Sequence, residues 1–465
     1  MVCRGLGFGG SVAAMSDLPQ FPPGFRFGVS TASYQIEGAV GEGGRGASIW
    51  DTFAHTAGKV RDGQNGDVAC DHYHRWEGDL DLIAGLGAGA YRFSVAWSRV
   101  QPTGSGPANP EGLDFYERLV DGLLARNIDP LLTLFHWDLP QALQDLGGWA
   151  NRDTPMRFGE YAELLGERLG DRVKLWITLN EPYIHFALGH VQGIHAPGLQ
   201  MLSDQLPVVH HLLLGHGLAV SALHRTSSSP VTLANNYSPV WPKSDSEADQ
   251  MAAAVYDMVQ NHLFTAPILL GEYPPGYEFL TTADVDSIVL EGDLEVISQP
   301  IQAMGVNYYN PSLIAAPPEG DPLPFARLEL EGYPKTAFDW PVVPDGLREL
   351  LVSLKERYGD RLPPVWITES GCSWPDLDDQ FRIDYIAGDL AAVRAAIDAG
   401  VDVRGYCTWS LMDNFEWAEG YHQRFGLVHV DFDTQVRTPR RSYEWYRQVC
   451  TAAAPRPDLQ QDPTG

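Results

Sequence analysis

The feature that most constrains this chain is an alternation. Short runs rich in β-branched and aromatic residues are each followed by a stretch with helical periodicity. Eight candidate strands fall at 27–30, 90–94, 130–135, 174–179, 231–235, 303–307, 365–368 and 405–409. Candidate helices fall at 74–86, 111–126, 154–169, 204–224, 246–270, 344–358, 380–399 and 440–450, with apolar residues three and four apart, as in Leu347, Leu350, Leu351 and Leu354. Eight strands alternating with helices predict parallel βα units. A single closed (β/α)8 TIM barrel with extended βα loops accommodates 465 residues better than an open sheet. Division into two or three ordinary domains is the competing arrangement. No linker interrupts the chain between Phe25 and Cys450, so the expected organisation is a flexible leader over 1–18, a barrel over 19–452 and a flexible tail over 453–465. The leader holds four glycines and reads against a signal peptide; Met15 offers a second start.

In such a barrel chemistry sits at the C-terminal ends of the strands, which turns the strand positions into a site search. The fourth strand runs into Thr178-Leu179-Asn180-Glu181-Pro182 and the seventh into Ile367-Thr368-Glu369-Ser370-Gly371. A glutamate at the end of a buried parallel strand needs a partner or a task. Strands four and seven are expected to face each other across the barrel, so the two carboxyls could approach at its mouth. Such a pair is the equipment of glycoside hydrolysis: one acid protonates the leaving oxygen, and one carboxylate attacks or directs water. The plainer alternative is that each glutamate only pairs with an arginine, which two matched strand ends make less economical.

The neighbouring strand ends suit a sugar. His136 and Trp137 follow strand three, Trp409 ends strand eight, and Glu416 and Trp417 lie just beyond it. Gln35 follows strand one, and Tyr308 and Tyr309 follow strand six. Sugars present hydroxyls at their rims and C–H groups on their faces, so amides, carboxylates and aromatic rings complement them. Thirteen tryptophans are many for a core alone, although Trp50, Trp76, Trp241 and Trp445 read as packing.

Composition narrows the partners. Hydrophobic residues make up 44% and charged residues 20%, which excludes a disordered chain, a collagen or a coiled coil. The formal net charge of −28 argues against nucleic acid or an anionic membrane as a partner. No apolar run is expected to reach the roughly 18 residues of a membrane helix. The five cysteines are odd in number and widely spaced, with no CxxC, which points away from a disulfide framework and toward a reducing, cytoplasmic setting.

Several motifs in order now identify a resemblance: FRFGVSTASYQIEG (25–38), SIWDTF (48–53), YRFSVAWSRV (91–100), LFHWDLPQAL (134–143), TLNEP (178–182), GVNYY (305–309), ITESG (367–371) and WSLMDNFEW (409–417). The chain resembles the glycoside hydrolase family 1 β-glucosidases from about Phe21 to Cys450. The resemblance implies a retaining β-glucosidase that uses no cofactor and no metal and acts on a small β-glycoside or oligosaccharide. It makes Glu181 the general acid/base and Glu369 the nucleophile, supported by Arg92 and Tyr309. It makes Gln35, His136, Trp137, Asn180, Asn307, Tyr309, Trp409, Glu416 and Trp417 the substrate-binding set. Within that set Asn180 would reach the 2-hydroxyl, Glu416 the 4- and 6-hydroxyls, and Trp409 would lie under the ring. Side activity on β-fucosides and β-galactosides is expected.

Departures are few. Ser370 stands where the family usually has Asn, and Ala47 where it usually has Pro. Three further readings were weighed. A phospho-β-glycosidase would need cations near Glu416, where this chain has Glu419 and Gln423. A non-catalytic sugar-binding protein would lack one carboxylate, and both are present. A transglycosylating variant stays open. The GxGxxG matches at Gly5-Gly7-Gly10 and Gly41-Gly43-Gly46 lack a βαβ setting. His72-Tyr73-His74 precedes a helix without further ligands, the sequon Asn236-Tyr237-Ser238 adjoins a core strand, and Cys372 reads as a small buried residue.

Overall fold

The structure, a computed structural model, describes residues 19–321 and 323–453. The expected leader at 1–18, its glycine motif and the tail over 454–465 lie outside the described residues.

Counting barrel strands alone, β1 is Arg26–Ser30, β2 Ala90–Ser94, β3 Asp129–Phe135, β4 Leu175–Asn180, β5 Val231–Tyr237, β6 Met304–Tyr308, β7 Val365–Ser370 and β8 Val403–Trp409. The ring closes in the order β1-β8-β7-β6-β5-β4-β3-β2, with every pairing parallel. All eight expected strands are therefore present. Eight long helices follow them in turn: α1 His72–Leu86, α2 Pro110–Leu124, α3 Asp153–Leu169, α4 Leu206–Thr226, α5 Glu247–Asp257, α6 Pro344–Tyr358, α7 Gln380–Asp398 and α8 Arg441–Ala453. Each strand buries both faces, one against side chains inside the barrel and one against the helices, which is why the strands read as near-continuous apolar runs. The interior cluster includes Ala90, Leu131, Leu175, Ile177, Ala234, Ala303 and Cys407. Apolar rows on the helices, such as Leu347, Leu350, Leu351 and Leu354 of α6, seal the outer face.

Four expectations need correction. In the closed ring β4 lies three places from β7 and faces β8, so the two glutamate-bearing strands are oblique and not diametrically opposed. The helix expected over 246–270 is broken. α5 gives way to a wider turn at Met258–His262 and a short helix at Ala266–Leu270. There Gln260 donates to Asn236 Oδ1 (3.0 Å) and Asn261 donates to the Ser238 carbonyl (2.8 Å), so bonding to the β5 loop replaces regular helix. α4 is long and apolar enough to cross a membrane by length and composition, contrary to the expectation of no such run. It is packed inside the molecule, with 83% of the qualifying stretch buried. The His72-Tyr73-His74 set opens α1 instead of preceding it; His72 Nδ1 is bonded to Asp79 (2.8 Å) and His74 to Asp71 (2.6 Å).

Short strands at Val240–Pro242, Ser312–Ala315 and Ala326–Leu328 form a separate three-stranded sheet above the barrel. It carries the loops that build one wall of the mouth.

Candidate active site

The strand ends that carry the glutamates are irregular. Register shifts occur between Ile177 and Asn180 on β4 and between Ile367 and Glu369 on β7. Such bulges re-aim side chains and terminate pairing next to active sites. Glu181 leaves β4 with φ +44°, while Trp137 and Trp417 have φ +74° and +50°. For residues with a Cβ each such conformation costs about 1–3 kcal/mol, held in place by the surrounding packing. Gly371 has a different reason: a Cβ there would lie 1.7 Å from the Trp409 carbonyl oxygen. Only glycine lets β7 pass the end of β8.

The result is a cavity of about 370 Å³ at the C-terminal mouth of the barrel. His136, Trp137, Asn180, Glu181, Tyr309, Glu369, Trp409, Glu416 and Trp417 all line it. Arg92, Asn307 and Gln35 sit one layer behind. Arg92 is 1% exposed and holds the floor together. Its Nη1 donates to Glu369 Oε1, its Nη2 to Asn180 Oδ1 (2.6 Å), and its Nε to Thr133 Oγ1 (3.2 Å). Tyr309 donates its hydroxyl to the other Glu369 oxygen (2.9 Å). Asn307 Nδ2 donates to Glu181 Oε1 (2.7 Å) and to Asn180 Oδ1 (3.0 Å), while its Oδ1 accepts from Thr368 Oγ1 (2.6 Å). Asn307, grouped with the substrate-binding residues from sequence, thus spends its polar atoms on the two carboxylate strands.

These bonds fix the direction of the remaining groups. Asn180 Oδ1 is taken by two donors, so Asn180 Nδ2 donates to His136 Nε2 (3.0 Å). The imidazole must then carry its proton on Nδ1, which is buried and has no partner. Burial and the Arg92 charge push His136 well below the usual histidine range, so it is neutral. Gln35 Nε2 donates to the Phe415 carbonyl and to Asn414 Oδ1 (both 2.9 Å), leaving Gln35 Oε1 buried and unpartnered. One unused donor and one unused acceptor at the site suit hydroxyls, which do both. Trp137 Nε1 donates to the Asn180 carbonyl (2.8 Å), and the Trp417 ring packs on Trp137 and Trp50 with centroids 4.9 and 4.5 Å apart. Trp50, read as packing, is the layer that positions Trp417.

Four carboxyls line this mouth; Glu419 is paired with Arg61, and among the described residues Arg92 is the one cation bonded to any of the other three. Burial, then the nearby Glu369 charge, pushes Glu181 up to about 8. Burial also pushes Glu369 upward, opposed by Arg92, Tyr309 and Asn307. Burial therefore opposes the donors that favour the Glu369 anion. The pair nonetheless has an evident asymmetry. Glu369 holds a guanidinium and a phenol, Glu181 only neutral amides, so the shared negative charge rests on Glu369 and the proton on Glu181. Burial and both of these carboxyls push Glu416 up to about 8. Retaining a proton near neutrality, Glu416 can donate as well as accept.

The acceptor side of the cavity was not read from sequence. Ile184, Leu188 and Ile194 with Phe338, Trp340 and Phe425 form apolar walls, and Asn236, Tyr256, Gln260 and Arg327 add polar groups. These come from βα loops and the small sheet, whose three- and four-residue strands carry no periodic signal. In the loop after Glu416, Glu419 is paired with Arg61 (3.1 Å), Gln423 donates to Glu419 (3.2 Å), and the one arginine, Arg424, is turned to Asp413 (3.4 Å). No group of three or more His, Cys, Asp or Glu side chains suited to a metal occurs among the described residues.

The family profile of glycosyl hydrolase family 1 matches residues 18–454. The chain belongs to glycosyl hydrolase family 1. It is 44% identical over 448 residues to the 1,4-beta-D-glucan glucohydrolase of Thermotoga neapolitana, covering 93% of this chain and 98% of that one. It is 43% identical over 456 residues to a bifunctional beta-D-glucosidase/beta-D-fucosidase of Bifidobacterium breve, covering 92% and 97%. Among solved structures, the family 1 β-glucosidase of Thermotoga maritima superposes with a TM-score of 0.88 at 42% identity, over 94% of this chain and 99% of that one. The family is one of (β/α)8 barrels and of glycoside hydrolases, and this chain is such an enzyme.

Proposed function

We propose that this enzyme is a retaining β-glucosidase that removes terminal non-reducing β-D-glucosyl residues by double displacement, with lesser activity on β-fucosides and β-galactosides. The observation that carries the reading is the unequal provisioning of the two buried glutamates: Arg92 and Tyr309 on Glu369, the neutral amides of Asn307 and Asn236 on Glu181. In the first step a Glu369 oxygen bonds to the anomeric carbon as the bond to the leaving oxygen breaks, and Glu181 gives that oxygen its proton. Esterified Glu369 carries no charge, so one of the causes that raised Glu181 disappears. Glu181 then takes a proton from water, whose oxygen displaces Glu369 from the anomeric carbon.

Substrate recognition follows from the free polar atoms. His136 Nδ1–H and Gln35 Oε1 offer a donor and an acceptor. Glu416 faces adjacent hydroxyls with one oxygen that accepts and, when protonated, one that donates. The similarity to a glucan glucohydrolase and to a glucosidase/fucosidase supports glucoside as the main substrate and fucoside as a second. The four free, buried cysteines among the described residues support a cytoplasmic setting.

The test is to follow hydrolysis of p-nitrophenyl β-glucoside by proton NMR beside the fucoside, galactoside and 6-phosphoglucoside. β-Glucose should appear first, with rates falling from glucoside to the two other neutral sugars and none on the phosphate. Initial release of α-glucose, or preference for the phosphorylated sugar, overturns the reading.

A further inference from the structure

One buried acid has no part in the reaction just described. Asp389 lies on α7, 1% exposed, directly behind the strand that carries Glu369. It accepts a hydrogen bond from Ser370, the residue that follows the nucleophile and replaces the family's usual asparagine. Tyr406 of β8 donates to the same Asp389 oxygen (3.4 Å). The Tyr385 hydroxyl, one turn earlier on α7, lies 3.3 Å from Ser370 Oγ and donates to the Tyr309 carbonyl oxygen (3.5 Å). Tyr309 is the residue whose hydroxyl holds Glu369 from the other side.

We propose that Asp389, acting through Ser370 and Tyr385, is a positioning residue that sets the β7 end and Tyr309 so that Glu369 meets the anomeric carbon in line. Two chains of contact start at Asp389 and both end on the nucleophile: through Ser370 to the neighbouring Glu369 backbone, and through Ser370 and Tyr385 to the Tyr309 backbone. Thr408 Oγ1, donating to the Ser370 carbonyl (3.2 Å), ties the same strand end to β8. A structural acid of the ordinary kind is paired with cations, as Asp413 is. The groups facing Asp389 are instead Ser370 on β7, Tyr406 on β8, Tyr385 on its own helix, and the Tyr308 hydroxyl and Cys372 thiol nearby. Among the described residues no cation pairs with it. Burial accordingly pushes Asp389 up to about 7, opposed by Ser370 and Tyr406. A carboxyl that keeps its proton near neutrality adds no second negative charge behind Glu369, and asparagine is its uncharged isostere.

The inference rests on the reading of Glu369 as nucleophile, and the experiment separates the two. 2,4-Dinitrophenyl 2-deoxy-2-fluoro-β-glucoside esterifies the nucleophile and releases dinitrophenolate, a leaving group that needs little protonation by Glu181. The rate of that burst therefore reports attack by Glu369 alone. Ser370→Ala and Asp389→Ala should slow it by about tenfold or more, in keeping with the roughly hundredfold cost of a 1 Å misplacement. Asp389→Asn should restore most of the rate, and the Ser370→Ala/Asp389→Ala double variant should be no slower than the worse single one, as expected for members of one brace. Thermal melting of each variant is recorded beside the burst. Burst rates within twofold of wild type in Ser370→Ala, or losses that add in the double variant and that Asp389→Asn does not relieve, overturn the brace. If wild-type Glu369 itself is not the residue esterified, the parent reading fails instead.

Discussion

Asp413 and Glu416 are three residues apart in one loop, both carboxyls withdrawn from bulk water, and the protein treats them in opposite ways. Asp413 accepts from Arg440 twice (2.9 Å each), from His429 (3.1 Å) and from the Gly426 amide (3.0 Å), with Arg424 nearby. Burial pushes it up, but His429, Arg440 and Arg424 overcome that and hold it at about 2. Glu416 has the Gln35 amide at 3.5 Å and three carboxyls for neighbours, Glu369, Glu181 and Glu419, and is pushed up to about 8. The region below the mouth is matched charge for charge, and the mouth is left short of cations. A carboxyl that must pass a proton, or bind hydroxyls both ways, is served by that shortage, whereas one that only holds a loop is not.

The strongest way to break the contrast is at the acid. Glu181→Gln removes the proton donor and should slow glycosylation from cellobiose by roughly 10²–10⁴-fold. The dinitrophenyl glucoside should be slowed far less in the same step, since its leaving group needs little protonation. Equal slowing in single-turnover kinetics would remove Glu181 from the role.

The converse operation acts below the mouth. Asp413→Ala strands Arg440 in the interior and should cost about 3–5 kcal/mol of stability, the range for breaking one half of a buried pair. Chemical denaturation measures it directly. The sign with pH differs between the two regions. Asp413, with its depressed value, contributes fully above the unfolded range near pH 4 and loses that contribution as pH falls toward 2. The mouth carboxyls, with raised values, favour folding at low pH and lose that contribution as pH rises through about 8.

Glu416→Ser tests both halves at once. It should lower kcat/KM for glucoside by about 1–3 kcal/mol, the range for two hydrogen bonds to an uncharged group, and less for a sugar lacking both the 4- and 6-hydroxyls. Relative to wild type it should also gain thermal stability as pH is raised past 8, because a crowded negative charge has gone. A variant that melts lower at pH 9 while binding glucoside normally would invert both statements. The smallest effect expected is that of EDTA. A divalent ion would be another means of neutralising three carboxyls, and full activity after exhaustive chelation is the expected result; activity that returns only on adding metal contradicts it.

What could be read from sequence divides along similar physical lines. The eight strands were legible because a parallel strand buried on both faces is a β-branched run with its own punctuation, and the barrel followed from counting them. Glu181 and Glu369 stood out because a carboxylate ends such a run. Arg92 and Tyr309 did not: an arginine inside an apolar strand looks like any buried cation until its partner is known, and only the family resemblance assigned them. The brace at Asp389 was beyond reach, since α7 offered a helical period and nothing to show that one aspartate on its buried face meets Ser370. The break after Asp257 was missed because its cause, Gln260 and Asn261 bonding to the β5 loop, is tertiary. β4 and β7 are oblique because opposite strands of an eight-membered ring stand four places apart and these stand three, yet the residues at their ends do meet at the mouth.

The central claim is that the charge on Glu369 is part of what keeps the proton on Glu181. Carbon-13 NMR of glutamate-labelled enzyme can follow the Glu181 carboxyl through a pH titration, first free and then as the stable 2-fluoroglucosyl ester of Glu369. Near 8 in the free enzyme, the midpoint should drop by roughly a unit or more once Glu369 is esterified, while burial holds it above the ordinary glutamate range. A midpoint that stays where it was would mean that burial alone sets it, and that the two glutamates are not coupled.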